Sequence, residues 1–159
     1  MNHWLLKSEP TSFGIDDLAA SPGSTTAWDG VRNYQARNML RDEMRRGDLA
    51  FFYHSSCEVP GIVGIVEIVK AAYVDATQFD LNDDHYDPES SRDAPRWYCV
   101  DVKLKRKLKR TISLAELHAQ RSLSGLKLLQ RGNRLSVMPV SSADWKRIVD
   151  LEHRDSPKR

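Results

Sequence analysis

Gly61-Ile-Val-Gly-Ile-Val-Glu-Ile-Val69 is apolar on both faces except at Glu67. A strand of that kind lies centrally in a sheet and is covered on both sides. Gly64 within it predicts a sharp bend or the close approach of another backbone. Upstream, Arg46-Gly-Asp48 turns the chain into Leu49-Ala-Phe-Phe-Tyr53, a second strand, and His54–Pro60 reads as the loop between them. Downstream, Trp97 to Lys109 alternates: Val100, Val102, Leu104 and Leu108 are expected on one side, and Asp101, Lys103, Lys105, Lys107 and Lys109 on the other. Arg106 falls on the apolar side, which marks a bulge or the sheet rim. Trp4-Leu5-Leu6 is a first strand that stops before Pro10, and Leu135–Pro139 a last one.

Between these strands the helical segments are short. Ile15–Leu18 reads as a single turn, and Ser113-Leu-Ala-Glu116 is a capping box that opens a helix over 114–120. Ser141 caps a helix over 142–151, in which Trp145, Ile148 and Val149 pack. Strands broken by helices without regular βαβ alternation define an α+β domain. The expected architecture is a curved, mixed and mostly antiparallel sheet closing to a small barrel with flanking helices. It is expected to occupy residues 1–152 as a single domain, with 153–159 a polar C-terminal tail.

At 159 residues, 40 % apolar and 29 % charged, the chain has the composition of a soluble globular protein. The net charge of +2 is unevenly laid out. Asp75, Asp80, Asp83, Asp84, Asp87, Glu89 and Asp93 crowd a long loop over 71–96, whereas 103–110 is almost all Lys and Arg. A loop of that length in a compact domain is usually functional or mobile. Cys57 and Cys99 lack zinc-like spacing and are too few for a disulfide framework, so a reducing compartment is expected. Met1-Asn-His-Trp4 shows no basic leader followed by an apolar run, and no run reaches membrane-spanning length. A cytoplasmic protein, away from membranes and monomeric, is the expectation.

Thr26-Ala-Trp-Asp-Gly-Val-Arg-Asn-Tyr-Gln-Ala-Arg-Asn-Met-Leu40 holds a tryptophan, a turn and a helix start. Asp29-Gly30 is the turn, with Asp29 a fair N-cap for a helix over 31–45. Ala36, Met39, Leu40 and Met44 form its apolar stripe, and Arg37, Arg41 and Arg45 a basic one. Like charges four apart repel. Phosphate contact accounts for the stripe, and a solvated face offset by Asp42 and Glu43 accounts for it too. The same two readings apply to Lys103, Lys105, Lys107 and Lys109.

Catalytic signatures are sparse. His54, Ser55, Ser56 and Cys57 crowd one loop, but there is neither a Gly-x-Ser-x-Gly elbow nor an orienting acid. His85 with Asp83, Asp84 and Asp87 lacks EF-hand order, and neither a Walker A nor a Rossmann pattern occurs. No cofactor or metal is expected. Lys7, Ser8, Glu9, Trp28, Arg32, Asn33, Tyr53 and His54 form a set of polar and aromatic groups at strand ends and turns. With the basic stripes behind them they suit a nucleic-acid binder, in which aromatic rings stack on bases and polar groups read base edges. Trp28 is expected to line a concave pocket with Ser8 and His54 on its rim. Each polar residue taken singly is equally a structural hydrogen-bonding group.

Trp4-Leu-Leu-Lys-Ser-Glu-Pro10, Thr26 to Asn38, Phe51-Phe-Tyr-His-Ser55, Pro60-Gly-Ile-Val-Gly64 and His85-Tyr-Asp-Pro88 together resemble the EVE domain family. The five segments keep the family's order and span residues 3 to about 152. The resemblance implies a PUA-like barrel related to the YTH domains that read methylated adenine in RNA. It also implies a non-catalytic reader of a modified base, with methylated or hydroxymethylated cytosine in DNA proposed for eukaryotic members. By that match Ser8, Trp28, Asn33, Tyr53 and His54 fall at or near the pocket. The basic N-terminal extension of the eukaryotic members is absent from this sequence, so nuclear targeting is not expected. An enzyme using His54 or Glu9 as acid–base on a modified base or nucleotide, and a protein-interaction module using the acidic loop, are the alternatives.

Overall fold

The computed structural model describes residues 1–154, so most of the expected polar tail lies outside the described residues. Its strands are β1 (His3–Ser8), β2 (Thr25–Ala27), β3 (Leu49–His54), β4 (Gly61–Val74), β5 (Tyr98–Ser113) and β6 (Val137–Val140). They form one sheet in the order β2-β5-β4-β3-β1-β6. All neighbouring pairs are antiparallel except β1 and β3. The sheet is α+β as expected but open: β2 and β6 are its two edges and do not pair, so the barrel is corrected to an open, bent sheet.

Strand alternation distributes the core over both faces. Trp4, Leu6, Ala50, Phe52, Val66 and Ile68 point to one side, where α2 (Ile15–Ala20) and the helix after β2 cover them. Leu5, Phe51, Tyr53, Ile62 and Ile65 point to the other, under α4 (Leu114–His118) and α5 (Ser142–Glu152). This double cover is why β4 reads as apolar on both faces, and β4 is central and buried as expected. Short α1 (Pro10–Phe13) follows β1, with Pro10 at its first turn.

Gly64 meets both of its expectations. The β3–β4 register skips Val63, a bulge of the kind that bends a strand. The backbone that comes close is the Arg106 carbonyl, 3.1 Å from where a Cβ would sit, with the Ile15 Cδ1 side-chain atom of α2 nearer still. β4 runs on to Val74, five residues past the apolar run, before the long loop begins.

In β5 the alternation breaks at Lys105. Arg106 lies opposite Ile65 and Leu104 opposite Val66, so Lys105 has no counterpart and forms a bulge. The bulge reverses which way the following residues point: Leu104 packs into one core and Leu108 into the other. The expectation of one lysine face is corrected accordingly. Lys105 lies 3.5 Å from Glu67, whereas Lys107 pairs with Asp16 of α2 at 2.5 Å. Arg106, expected at a bulge, reaches the buried carboxylate of Glu152 on α5 at 2.8 Å.

The helix expected over 31–45 is shorter and starts later. Its α3 segment is Tyr34–Asn38, capped by the Asn33 side chain, which accepts from the Ala36 N–H at 3.0 Å. One π turn follows, Met39–Glu43, with Met44 N–H donating to the Met39 carbonyl at 2.9 Å. The wider turn lets Met39, Leu40 and Met44 enter the same core. Asp29 is not the cap, and Arg45 lies beyond the helix, so the basic stripe holds Arg37 and Arg41 only. Ser113 and Ser141 cap α4 and α5 as expected.

Candidate nucleic-acid interface

A cleft of about 580 Å³ opens where the ends of β1 and β2 meet the long acidic loop. Lys7, Ser8 and Glu9 form one wall and residues 26–32, including Trp28, Asp29 and Arg32, a second; His85, bonded to Arg32, and Ser136, bonded to Lys7, complete the lining. Both walls are built from sheet geometry. Lys7 N–H donates to the Ser136 carbonyl at 2.8 Å, and Trp28 N–H to Val100 O at 2.7 Å. The Ser8 hydroxyl donates to Phe13 O at 2.6 Å and fixes the corner into α1.

Trp28 is both core and wall. It is 8 % exposed and meets Phe52 edge-on at 5.4 Å and 86°. Its remaining surface lines the cleft beside Ser8.

The second wall hangs on Asp75, a fully buried carboxylate in the acidic loop. Asp75 Oδ2 accepts from Gly30 N–H at 2.9 Å and from Arg32 Nη1 at 3.1 Å, and Oδ1 accepts from Thr77 N–H at 2.8 Å. Arg32 also donates to Thr77 Oγ1 and, through Nε and Nη2, to the His85 carbonyl. Burial by itself would raise the Asp75 carboxyl, but the bonds from Thr77, Gly30 and Arg32 hold it below the usual carboxylate range. Asp29 behaves oppositely: burial first, then the nearby Asp75 charge, raise its carboxyl. Burial lowers the Lys7 ammonium. The cleft lining thus brings Lys7, Arg32, Glu9 and Asp29 together with the Trp28 ring. Such groups match a flat, polar, hydrogen-bonding ligand.

Of the eight base-pocket candidates, Lys7, Ser8, Glu9, Trp28 and Arg32 line this cleft. Asn33, Tyr53 and His54 lie outside its lining. Asn33 is occupied as the α3 cap. Tyr53 points to the opposite sheet face from its neighbour Phe52, where burial pushes its hydroxyl up to about 12. His54 Nε2 accepts the Ile15 N–H at 3.1 Å, and burial lowers its pKa, which suits a neutral ring in that role. Sequence reasoning missed Asp75, Thr77 and His85 as parts of the wall. Asp75-Ala-Thr77, in which an Asp side chain caps its own turn two residues on, is a local signal for the first two, and His85 opens one of the segments that carry the family resemblance.

The phosphate candidates are spread out. Arg37 donates to Asn38 Oδ1 and Arg96 O, and Arg41 pairs with Asp42 at 2.8 Å. Arg45, Lys103, Lys105, Lys107 and Lys109 are exposed, with Lys105 beside Glu67 and Lys107 paired to Asp16.

The architecture is thus an open six-stranded α+β sheet with a polar cleft, part of it lined by Trp28, at the ends of β1 and β2. The chain belongs to the EVE domain family, whose pattern it matches over residues 2–151. It is 49 % identical to thymocyte nuclear protein 1 of Danio rerio over 97 % of this chain and 73 % of that one. To the human protein of that name it is 47 % identical, over 97 % and 75 %. Among solved structures, human THYN1 in complex with 5-methylcytosine-containing DNA superposes with a TM-score of 0.94 at 46 % identity, covering 98 % of this chain and all of that one. A Pseudomonas syringae protein superposes at 0.90 and 46 %, over 94 % and 99 %.

Proposed function

We propose that this protein is a non-catalytic nucleic-acid binding domain, acting as a monomer, that takes a modified base into the cleft beside Trp28. The ligand we favour is a methylated cytosine in DNA. The observation that carries the reading is the cleft itself: it joins an apolar ring to Lys7, Glu9 and Asp29 within a fold shared with the human THYN1–DNA complex. A carboxylate accepts from the cytosine amino group, and a base drawn out of its stack needs aromatic and edge contacts to offset a few kcal/mol of unstacking. Arg32 and the Asp75 hub hold that wall in place. Arg37, Arg41, Arg45 and the β5 cations supply the sequence-blind attraction to the phosphate backbone. Asn33, Tyr53 and His54 support the elements around the cleft. The free thiols of Cys57 and Cys99 suit a reducing compartment, and among the described residues no helix is long and apolar enough to cross a membrane.

The test is a fluorescence titration of two duplexes identical but for one 5-methylcytosine. Wild-type protein should prefer the methylated one. Asp29→Asn and Lys7→Gln should erase most of that preference while leaving affinity for unmodified DNA near its starting value. Equal binding of both duplexes by wild-type protein would refute the reading. Release of an altered base or nucleoside on prolonged incubation would instead make the protein an enzyme.

A further inference from the structure

Beside the cleft, side chains from two distant stretches form a stack. The Arg32 guanidinium lies 5.4 Å from the Trp97 ring centre, Tyr34 stacks on Trp97 at 4.9 Å and 25°, and Arg37 covers Tyr34 at 4.7 Å. Arg32 belongs to both features, so the stack begins at the cleft wall. Trp97 is its fixed member: it is buried, and its Nε1 donates to Asp87 Oδ2 at 2.6 Å. Tyr34 is the outlier, since it is 50 % exposed and one of few large apolar side chains left in solvent.

The charges on this stack are unequally matched. Arg32 is paired with Asp75, Arg96 with Glu89 and Arg41 with Asp42. Arg37 donates only to neutral oxygens, Asn38 Oδ1 and the Arg96 carbonyl, and has no carboxylate in ion-pair reach among the described residues. It therefore presents, over the half-exposed Tyr34 ring, a guanidinium that influences the Asp42 charge only from outside ion-pair reach. Planar guanidinium groups bind phosphate through paired donors and also stack on bases.

We propose that Tyr34 and Arg37 form a second nucleotide subsite, which holds the nucleotide flanking the base in the cleft. Arg37 meets its phosphate, and the open edge of the Tyr34–Trp97 stack meets its sugar and base. The proposal rests on the cleft being a base pocket and assigns to Tyr34 a role that pocket does not need. A free nucleoside fills the cleft alone, whereas a strand fills both places.

The experiment compares 5-methyl-2′-deoxycytidine with a singly methylated duplex, over a range of salt, for wild type, Tyr34→Ala, Arg37→Ala and Arg37→Gln, each with a melting curve. Nucleoside affinity should stay unchanged in all three variants. Duplex affinity should fall by about tenfold in each, a difference of about 1.4 kcal/mol. In the Arg37 variants the salt slope should also fall by about one. Unchanged duplex affinity and slope in the Arg37 variants would overturn the proposal and leave the stack a pin between α3 and the acidic loop. Parallel loss of nucleoside binding and melting temperature would overturn it as well, by making the stack a support of the cleft. If wild-type protein shows no preference for the methylated duplex, the base-pocket reading fails. The subsite is then judged on unmodified DNA by the same slope, and an unchanged slope there refutes it.

Discussion

The imidazole of His85 lies directly over the backbone of Gly30, so close that a Cβ there would come within 2.7 Å of the ring. Gly30 also has a φ of 78°, a conformation in which a side chain is strained by about 1–2 kcal/mol. Gly30→Ala should therefore destabilise the protein by more than that strain alone. His85→Ala in the same chain should relieve the collision but not the strain. Denaturant unfolding of the two single variants and the double one checks this, since equal costs for Gly30→Ala in both backgrounds would show that the ring simply moves aside.

Asp75 makes the cleft wall sensitive to acid. Its carboxyl is held below the ordinary value of about 3.9 for an unfolded chain. Its contribution is therefore complete above that value and drains away as the pH falls below it, through the folded pKa. Asp75→Ala leaves the Arg32 guanidinium without its carboxylate and should cost about 3–5 kcal/mol at neutral pH. As the pH falls through the lowered folded pKa, the gap in melting temperature between variant and wild type should narrow, because protonation removes the same interaction. A constant gap across that range would assign the loss to packing.

At Gly64 the neighbour is Ile15, whose Cδ1 occupies the space a Cβ would need. Gly64→Ala should cost about 1–3 kcal/mol by overpacking. Ile15→Val removes the colliding methyl group and alone should cost about 0.5–1.5 kcal/mol. Combined, the two should cost less than their sum, as contacting sites do. Strict additivity in urea unfolding would place the strain at the Arg106 carbonyl, 3.1 Å from the same point.

Trp28→Ala should destabilise by about 3–5 kcal/mol, the usual cost of emptying an aromatic core site. Binding loss in that variant mixes folding with recognition. Trp28→Phe keeps a ring against Phe52 and should retain most of the stability while weakening discrimination of the methylated duplex. A Phe variant with intact discrimination would show that the indole is there for packing.

How far the sequence carried the fold follows from which forces are local. The two-faced apolar run at 61–69, the bend at Gly64 and the caps Ser113 and Ser141 depend on neighbours within a few residues, and all were legible. The open sheet was not, because closure depends on whether β2 and β6 meet, and neither strand encodes its distance from the other. The lysine row failed at Lys105, since one unpaired residue inverts everything after it, and the mark it left, Arg106 on the apolar side, fits a sheet rim equally well. The α3 start was misplaced for a tertiary reason. Arg32 is drawn to Asp75 and His85, which keeps 29–33 out of the helix and leaves the cap to Asn33. The cleft was half visible: Lys7, Ser8, Glu9, Trp28 and Arg32 share it, but its Asp75 hub comes from 43 residues beyond Arg32.

An unclosed sheet has two rims, and unpaired rims are where chains add to one another. Here β2 offers three residues and β6 four, one of them Pro139, which has no N–H to donate. A strand arriving on β2 or on β6 would find few backbone partners in either.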